Sequence, residues 1–408
     1  MKVVVVSEFY PRQGDPVLGV WAHRQALAAR DAGAEVRVIV LHRLVPPRAS
    51  FARNPPTAGG AARALRILAE QPKHQLHDGL EVSYVRYVSP PRSSSYHAWG
   101  AWVAPALGLA LRRLHRSFAF ELIHAHNAVP AGDAVRRARM HVPLLVSVHG
   151  GDVLYTAPRS EAGREAVRRG LEAATTVLAN SVGIAELARS GGAADVRVVH
   201  LGADLASPRR GSASRREQSQ SLVTVGHLVA RKRHADVMRA LAVLAKRHPT
   251  LRYVIIGDGP ERVALEGLAA RLEVTERVEF RGQLAPAKAI EQARRCTLFA
   301  MPSTEEAFGV AYIEAMAGGV PAIGCRGEPG PEEIAAAGDG FMLVPPGDIE
   351  RLTQRIDELL SDPQRLREAG IRARETVAAN FSWRRCGEQT LAAYEHALAS
   401  SPRETAGG

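Results

Sequence analysis

At 408 residues the chain is longer than one hydrophobic core usually supports, so the sequence predicts two domains. Apolar residues make up 46% and charged residues 23% of the chain, which excludes a collagenous or largely disordered protein. The net charge is +11, and residues 1–205 carry most of the excess, with 25 Lys and Arg against 16 Asp and Glu. Such a basic surface suits nucleic acid, anionic lipid or a phosphorylated acceptor, but ordinary solvated faces can also have this sign.

The cysteine pattern indicates a reducing compartment. Cys296, Cys325 and Cys386 are isolated, with no C-x-x-C pair and no His partner at metal spacing. This argues against a disulfide framework and against a zinc site. The opening apolar run, residues 3–6, is too short for a signal peptide and predicts a buried strand. The apolar stretch at 98–111 is shorter than the roughly 18 to 20 residues of a bilayer span. We therefore expect a cytoplasmic protein that could touch the inner face of a membrane.

Strand and helix patterns alternate along the first half of the chain, which predicts an α/β domain with a parallel doubly wound sheet. The predicted strands cover residues 3–6, 36–41, 122–124, 144–148, 176–178 and 196–199, and a helix covers 17–32. The loop at 8–18 leads into that helix and is suited to the approach of an anion to backbone N–H groups. It lacks the G-x-G-x-x-G spacing, so a dinucleotide site is not expected.

Histidines follow two of these strands. His124 and His126 come after one strand, and VHGGDV at 148–153 follows the next, so both segments are expected at the same sheet edge. A single histidine in a loop is more often structural or solvent-facing than catalytic, and that interpretation is preferred for His126.

Residues 206–221 are rich in Ser, Arg and Gly and predict a linker between domains at 1–205 and 222–380. The alternation restarts with a strand at 222–226 and a helix at 233–247. Further predicted elements are a strand entering a glycine turn at 254–261, a strand at 341–344, and helices at 348–360 and 363–379. The tail, 400–408, is expected to be disordered.

The segment at 301–322, MPSTEEAFGVAYIEAMAGGVPA, lies between predicted strands at 296–300 and 320–324. A helix should begin near Phe308 or Gly309, with its free N–H groups at the carboxyl edge of a parallel sheet, where a phosphate is favoured.

Two glutamates flank the start of this helix. Glu306 precedes it, a position that compensation of the helix dipole would also explain. Glu314 interrupts the apolar pattern of Val310, Ile313 and Met316, so a partly buried carboxylate there needs a hydrogen-bonding partner.

The E-x7-E spacing of Glu306 and Glu314, within PSTEEAFGVAYIEAMAGGVP, resembles the signature of the family 4 retaining glycosyltransferases. The resemblance implies the GT-B fold, with two Rossmann-like doubly wound domains facing a central cleft. It implies an acceptor-binding first domain, a nucleotide-sugar-binding second domain, and a closing helix at 381–399 that packs back on the first. The opening SEFYP, Gly19 with His23, and AGAEVRVI also look like this family.

The segment GHLVARKRH, 226–234, matches the family's G-R-L-x-x-x-K-G only in part. Lys232 matches the Lys, whereas His227 stands where Arg is common, and Arg231 could supply the missing charge. A solvated basic helix start is the alternative, but adjacent cations at a helix N-terminus are unfavourable without an anion. In Phe280-Arg281-Gly282, Arg281 could stack on the nucleotide base.

The resemblance implies catalytic roles for His149, Glu306 and Lys232. The expected donor-binding residues are Gly19, His227, Arg231, Lys232, Arg281, Glu306, Phe308, Gly309, Val310 and Glu314. His126 and Asp152 are expected on the acceptor side. No metal ligand and no cofactor are implied.

The expected reaction moves a sugar from a nucleotide diphosphate sugar, by resemblance a UDP-sugar, to a hydroxyl acceptor with retention and without a metal. The acceptor would be a glycolipid, a polysaccharide precursor or a small metabolite, as in bacterial cell-envelope or teichuronic-acid-type synthesis. The alternatives are a non-catalytic nucleotide-sugar-binding protein, a GT-B-fold epimerase or a phosphorylase. No nucleic-acid partner is expected.

A peripheral contact with anionic membrane is a further possibility. It would use an apolar and basic surface, for which a buried helix end is the alternative. Its residues are Trp99, Trp102, Leu107, Leu109, Leu111, Arg112, Arg113 and Arg116.

Overall fold

The computed structural model describes residues 1–13, 15–45, 65–66, 68–205 and 220–400. The chain divides into two compact units: unit 1 contains Met1–His200 and Cys386–Gly408, and unit 2 contains Leu201–Arg385. Most of the predicted linker, residues 206–219, lies outside the described residues, as does the predicted tail from residue 401. Ser221, expected at the end of the linker, instead begins a strand.

A sheet of eight strands forms the centre of unit 1, in the spatial order β3-β4-β2-β1-β5-β6-β7-β8. The strands are β1 (Lys2–Ser7), β2 (Glu35–Arg43), β3 (His74–His77), β4 (Leu80–Tyr87), β5 (Leu122–His126), β6 (Leu144–Val148), β7 (Thr176–Ala179) and β8 (Val196–Val198). All pairings are parallel except that of β3 with β4. Val3 to Val6 on β1 are completely buried, since a central parallel strand is covered on both faces. The predicted parallel sheet is confirmed.

The strands β3 and β4 were not predicted. They form an antiparallel hairpin in which His77 lies opposite Leu80. Asp78 and Gly79 make the turn between them, with φ angles of 46° and 81°. Positive φ at both central residues is typical of the type I′ turn that Asp-Gly favours, so this dipeptide was the signal that could have located the hairpin.

Helices alternate with the strands of this sheet. In unit 1 they are α1 (Val20–Asp31), α2 (Arg92–Ser95), α3 (Trp99–Phe118), α4 (Asp133–Ala138), α5 (Ala157–Arg159), α6 (Glu161–Glu172) and α7 (Val182–Ser190). The first begins later than predicted because Gly19 adopts a left-handed conformation, with φ of 66°, immediately before it. A Cβ atom on Gly19 would lie 2.0 Å from the carbonyl oxygen of Phe9, so only glycine fits here.

Helix α3 corrects the predicted apolar and basic surface. Trp99, Leu107 and Leu111 are at most 2% exposed and face the core of unit 1. Trp102 and Leu109 alone of the five apolar residues remain exposed, at 53% and 56%. Among the residues that the structure describes, no helix is both long enough and apolar enough to cross a bilayer.

Unit 2 is built on a six-stranded parallel sheet in the order β11-β10-β9-β12-β13-β14. The strands are β9 (Ser221–Val225), β10 (Arg252–Ile256), β11 (Val278–Gly282), β12 (Leu298–Ala300), β13 (Ala322–Cys325) and β14 (Phe341–Val344). The central β9 contributes Leu222 to a buried cluster with Val237, Leu241 and Ile255. β13 begins two residues later than predicted, since Pro321 has no N–H group for the ladder.

The helices of unit 2 are α8 (His234–Leu244), α9 (Arg262–Arg271), α10 (Pro286–Ala293), α11 (Val310–Met316), α12 (Pro329–Ala336), α13 (Ile349–Leu360) and α14 (Pro363–Asn380). The last helix, α15 (Trp383–Ser400), belongs to unit 1 from Cys386 onward. There the Tyr394 hydroxyl is 2.8 Å from His124 Nδ1, and Gly387 packs against the backbone of Ala28.

The three cysteines are free, buried thiols. Cys296 and Cys325 belong to unit 2 and Cys386 to unit 1. Burial raises the pKa of the Cys325 thiol to about 11 and that of Cys386 to about 12, so both are protonated at neutral pH.

Candidate active site

The central feature of unit 2 is an ion pair between Lys232 Nζ and Glu306 Oε2. Lys232 follows β9, and Glu306 follows β12, the strand paired with β9. Both residues therefore come after the carboxyl ends of neighbouring parallel strands, where α/β sheets bind ligands. Both side chains are about one-tenth exposed.

Several groups keep Glu306 charged. Burial alone would raise the pKa of its carboxyl group, but the charge of Lys232 and hydrogen bonds from Lys232 and Ser303 outweigh burial and lower it. The Ser303 hydroxyl donates to Glu306 Oε2 at 2.8 Å. Arg231 adds a smaller effect in the same direction. Glu306 is therefore an ionised carboxylate whose oxygens are held by its neighbours.

A second layer of contacts fixes the segment that carries Glu306. The Tyr312 hydroxyl donates to the Met301 carbonyl oxygen and lies 3.1 Å from Ser303 Oγ. The backbone N–H of Glu306 donates to Glu328 Oε2 at 2.8 Å. The sequence interpretation did not assign a role to Glu328. Its position as the last residue before α12 was the available signal.

The basic run 231–233 finds its anions within the protein. Lys232 pairs with Glu306, and Arg233 pairs with Asp236 in the first turn of α8. The Arg231 carbonyl oxygen accepts a hydrogen bond from the backbone N–H of Thr304 at 2.9 Å, which joins this turn to the segment before Glu306. The argument that these cations need an external anion is thus corrected, because carboxylates of the chain already compensate two of them.

Four further predicted donor residues lie in helix α11 or immediately before it. Gly309 has φ of 92° and Val310 begins α11, a helix of seven residues, so the helix starts where the sequence predicted. The Phe308 side chain is 1% exposed and packs edge-on against Phe381, so a contact of this residue with a donor would have to use its backbone, and its donor role stays a prediction. Glu314 is half-buried as expected, and its carbonyl oxygen accepts a hydrogen bond from Arg294 Nε at 2.9 Å.

Two other predicted donor residues lie on strand ends. The His227 side chain is exposed just after β9. Arg281 on β11 pairs with Glu279 of the same strand at 2.7 Å. Arg231, Lys232 and Glu306 therefore lie together in the structure, whereas Arg281 forms an ion pair with Glu279 instead.

In unit 1, three histidines cluster where β5 and β6 end. His126 Nδ1 lies 2.9 Å from His149 Nε2, and the two rings are stacked at an interplanar angle of 5°. His126 is the last residue of β5 rather than a loop residue, and it is buried rather than solvent-facing. His124 bonds Ser147 Oγ at 2.7 Å through Nε2.

Burial keeps these imidazoles neutral at physiological pH. It lowers the pKa of His149 to about 4 and that of His124 to about 3, and it lowers the pKa of His126 strongly as well. In the part of the chain that the structure describes, neither His126 Nε2 nor His149 Nδ1 has a hydrogen-bond partner. A buried polar atom without a partner is costly, which makes His149 Nδ1 a candidate ligand contact.

Asp152 has partners within the protein, and its predicted acceptor-side role stays a prediction. Its carboxylate is 1% exposed and accepts hydrogen bonds from the backbone of Ala128 at 3.0 Å and Val129 at 3.2 Å, and from Asn127 Nδ2 at 3.2 Å. Burial raises its pKa to about 6 despite these bonds. Asp152 therefore holds the segment that follows β5.

Unit 1 also contains a cavity of about 1220 Å³, and its lining includes Glu8, Arg12 and Leu18 of the loop that the sequence indicated as a place for an anion to approach. Glu8 lines it and accepts a hydrogen bond from the Tyr96 hydroxyl at 2.8 Å. Burial raises the pKa of Glu8, although Arg92 and Tyr96 oppose the effect. Four arginines and only two acidic residues, Glu8 and Asp15, line the cavity, so its wall carries a positive charge. The arginines are Arg12, Arg43, Arg92 and Arg159.

Two Rossmann-like domains, each built on a largely parallel sheet, define a protein of the GT-B class, as the sequence predicted. The chain belongs to the family 4 glycosyltransferases. A family model described as Glycosyltransferase Family 4 matches residues 7–207, and one described as Glycosyl transferases group 1 matches residues 209–376.

Curated relatives resemble the chain over different lengths. An exopolysaccharide phosphotransferase of Streptomyces coelicolor is 35% identical over 158 residues, which cover 38% of this chain and 16% of that protein. A glycogen synthase of Mycobacterium tuberculosis is 26% identical over 412 residues, which cover 97% of this chain and 94% of that protein. The chain thus spans a small part of the first relative and nearly all of the second.

Solved structures share the fold over the whole chain. Sucrose-phosphate synthase of Thermosynechococcus elongatus superposes with a TM-score of 0.78 and 22% identity, covering 98% of this chain and 100% of that one. Anabaena HepE in complex with UDP and glucose superposes with a TM-score of 0.71 and 20% identity, covering 97% and 99%.

Proposed function

We propose that the protein is a retaining glycosyltransferase that moves a sugar from a nucleotide diphosphate sugar to a hydroxyl acceptor. The observation that carries the proposal is the buried pair of Lys232 and Glu306, with Arg231 beside it, in a chain of this family. Lys232 supplies a cation for the diphosphate, and Glu306 next to it supplies a carboxylate that can accept hydrogen bonds from the sugar hydroxyls. UDP is the proposed nucleotide, supported by the UDP complex of HepE.

Charge development explains why this pair suits the reaction. Breaking the bond between sugar and phosphate builds negative charge on the leaving diphosphate, and a preorganised ammonium group stabilises that charge more in the transition state than in the ground state. The diphosphate would compete with Glu306 for Lys232. Glu306 would then be free to accept hydrogen bonds from the sugar hydroxyls.

Retention is proposed to follow front-face attack, with the leaving phosphate taking the proton of the acceptor hydroxyl. The cations of the chain would neutralise the phosphate, so the proposed reaction needs no metal. His149 would remain a neutral imidazole and use Nδ1 for a hydrogen bond to substrate, since its pKa lies far below neutrality.

The cavity of unit 1 is the proposed acceptor site. Its volume of about 1220 Å³ suffices for a sugar or a polar head group, and its positive wall favours an acceptor with an anionic group. Glu8 would accept a hydrogen bond from an acceptor hydroxyl. These properties agree with a glycolipid or polysaccharide precursor of the cell envelope.

Turnover of labelled UDP-sugars and GDP-sugars, with and without an acceptor extract, tests the proposal. We expect acceptor-dependent release of nucleoside diphosphate that survives EDTA. Lys232→Ala should lower kcat about 100-fold or more, as loss of one preorganised donor does, whereas Lys246→Ala on the exposed surface should not. Donor binding without turnover would favour a non-catalytic nucleotide-sugar binder, an alternative that the His at position 227 supports.

A further inference from the structure

Three metal-ligating side chains of unit 1 converge beside the turn between β3 and β4. They are His23 on α1, His77 at the end of β3, and Asp78 in the turn. One ligand atom from each lies within 4.8 Å of the other two. We infer that His23, His77 and Asp78 form a binding site for one divalent transition-metal ion such as Zn²⁺. The proposed sugar transfer uses none of the three.

The distances are close to those that a metal ion requires. His23 Nε2 is 2.8 Å from Asp78 Oδ2, and His77 Nε2 is 3.8 Å from the same oxygen. Ligand atoms around tetrahedral zinc are about 3.4 Å apart, since each bond is about 2.1 Å long. The two observed distances lie on either side of that value. The His23 and His77 ligand atoms lie within 4.8 Å of each other, so binding would require movements of up to roughly 1 Å. His77 and Asp78 are 28% and 65% exposed, which leaves their side chains room to make them.

A hydrogen bond from behind orients His23. The His23 side chain is 5% exposed, and its Nδ1 lies 2.7 Å from the Tyr10 hydroxyl. Without the ion, Nε2–H donates to the Asp78 carboxylate and the Tyr10 hydroxyl donates to Nδ1. Binding of the ion would move the ring proton from Nε2 to Nδ1, which would then donate to the Tyr10 oxygen and leave the Nε2 lone pair for the metal. Metal-bound histidines usually have such a partner on the second ring nitrogen.

The backbone holds the third ligand. Arg30 Nη1 on α1 donates to the Asp78 carbonyl oxygen at 2.7 Å, which fixes the turn against the helix. Arg24 is the opposing charge, since it acts on both His23 and Asp78. A nearby cation disfavours ions held by charge alone, so the site should prefer metals that bond to imidazole over Ca²⁺ or Mg²⁺. The ion would tie α1 to the β3–β4 hairpin.

Titration of the full-length protein with ZnCl2 in a calorimeter tests this inference. We expect one site per chain in the wild type and a rise in Tm of roughly 3 °C at a tenfold excess of free Zn²⁺ over Kd. CoCl2 should give the visible absorption bands of nitrogen-ligated Co²⁺. His77→Ala and Asp78→Asn should each weaken zinc binding at least tenfold.

His74→Ala is the matched control, because His74 lies on the same strand and is exposed but is not among the three ligands. It should bind Zn²⁺ as the wild type does. Circular dichroism of each variant establishes that it is folded, and Asp78→Asn serves if His77→Ala does not fold. The inference is overturned if wild-type protein binds no Zn²⁺, or if the ligand variants bind it as tightly as His74→Ala.

Discussion

Glu306 and Lys232 form an ion pair inside unit 2, and removal of either partner should lower the free energy of unfolding measurably. Both side chains are about one-tenth exposed, so removal of one leaves the other charge buried without its partner. Breaking such a pair is strongly destabilising, whereas replacing both partners with neutral groups is often close to neutral.

We therefore expect Lys232→Met to destabilise the protein by roughly 3 kcal/mol, and Lys232→Met with Glu306→Gln to recover most of that loss. Chemical denaturation of the two single variants, the double variant and the wild type at pH 7.5 measures the coupling. Equal stability losses in Lys232→Met and in the double variant would show that the pair does not form in solution.

Glu8 shows the opposite balance, in which burial raises the pKa of a carboxyl group. Its ionised form is unfavourable in the folded protein at neutral pH, and a neutral isostere removes that penalty. We expect Glu8→Gln to keep or raise Tm at pH 7.5 while lowering the rate of transfer about tenfold or more.

Initial rates over a range of acceptor concentrations, together with thermal unfolding, check this pairing of effects. Glu186→Gln on the exposed surface of α7 is the control and should change neither quantity. A large drop in Tm for Glu8→Gln would mean that the carboxylate is structural.

The sequence located functional residues best where they belong to a short local motif. The E-x7-E string and the Lys after β9 placed Lys232 and Glu306 correctly in one neighbourhood. Glu8 and Glu328 were missed because their roles depend on partners far along the chain, Tyr96 and the backbone N–H of Glu306. The burial of the Phe308 side chain was not foreseen, because a string match does not reveal which way a side chain points.

At the scale of elements, helix α3 keeps part of the predicted membrane surface. Trp102 and Leu109 are exposed, and Arg113 and Arg116 follow at helical spacing on the same side. We expect wild-type protein to bind vesicles containing anionic lipid at low salt and Leu109→Glu to bind several-fold less. Co-sedimentation measures both.

Val243→Glu is the matched control for this prediction, since Val243 is an equally exposed apolar residue, at 59%, on α8. It should leave vesicle binding unchanged. If wild-type protein stays in the supernatant at low salt, α3 has no membrane role.

The sequence located most strands and helices within a few residues, because buried parallel strands are continuous apolar runs and the helices are bounded by Gly or Pro. The β3–β4 hairpin escaped since HQLH is polar and short, and pattern alone does not mark such an edge strand. The sequence also located α11, since the predicted start near Gly309 and the stop at Gly318-Gly319 bracket its seven residues.

For the whole molecule, buried neutral histidines set the response to acid. Burial lowers the pKa of His124 to about 3 and that of His149 and His234 to about 4, below the ordinary value of 6.5. Their contribution to stability is complete above pH 6.5 and is lost as pH falls from there toward 4, because unfolding then takes up protons. Asp152, Glu8 and Glu328 have raised pKa values and act in the opposite direction. They are fewer than the histidines with lowered pKa values, because His23, His42 and His126 belong to that group as well.

We therefore expect Tm to fall steadily between pH 7 and pH 5, with net proton uptake on unfolding. Calorimetry in buffers of different ionisation enthalpy measures the uptake. His124→Gln should reduce it by up to one proton near pH 5, and His141→Gln at an exposed position is the control. A Tm that rises on acidification would contradict this assignment.

The burial of the three cysteines makes them internal reporters of opening. A thiolate attacks the disulfide bond of a labelling reagent and displaces the reagent's other sulfur as a thiolate. A buried, protonated thiol therefore reacts only when the surrounding structure opens locally. Cys386 is 1% exposed in unit 1, while Cys325 and Cys296 are 0% and 6% exposed in unit 2. The labelling kinetics of the unmodified protein would thus distinguish opening of unit 1 from opening of unit 2. A nucleotide sugar that protects only Cys296 and Cys325 from labelling would act on unit 2.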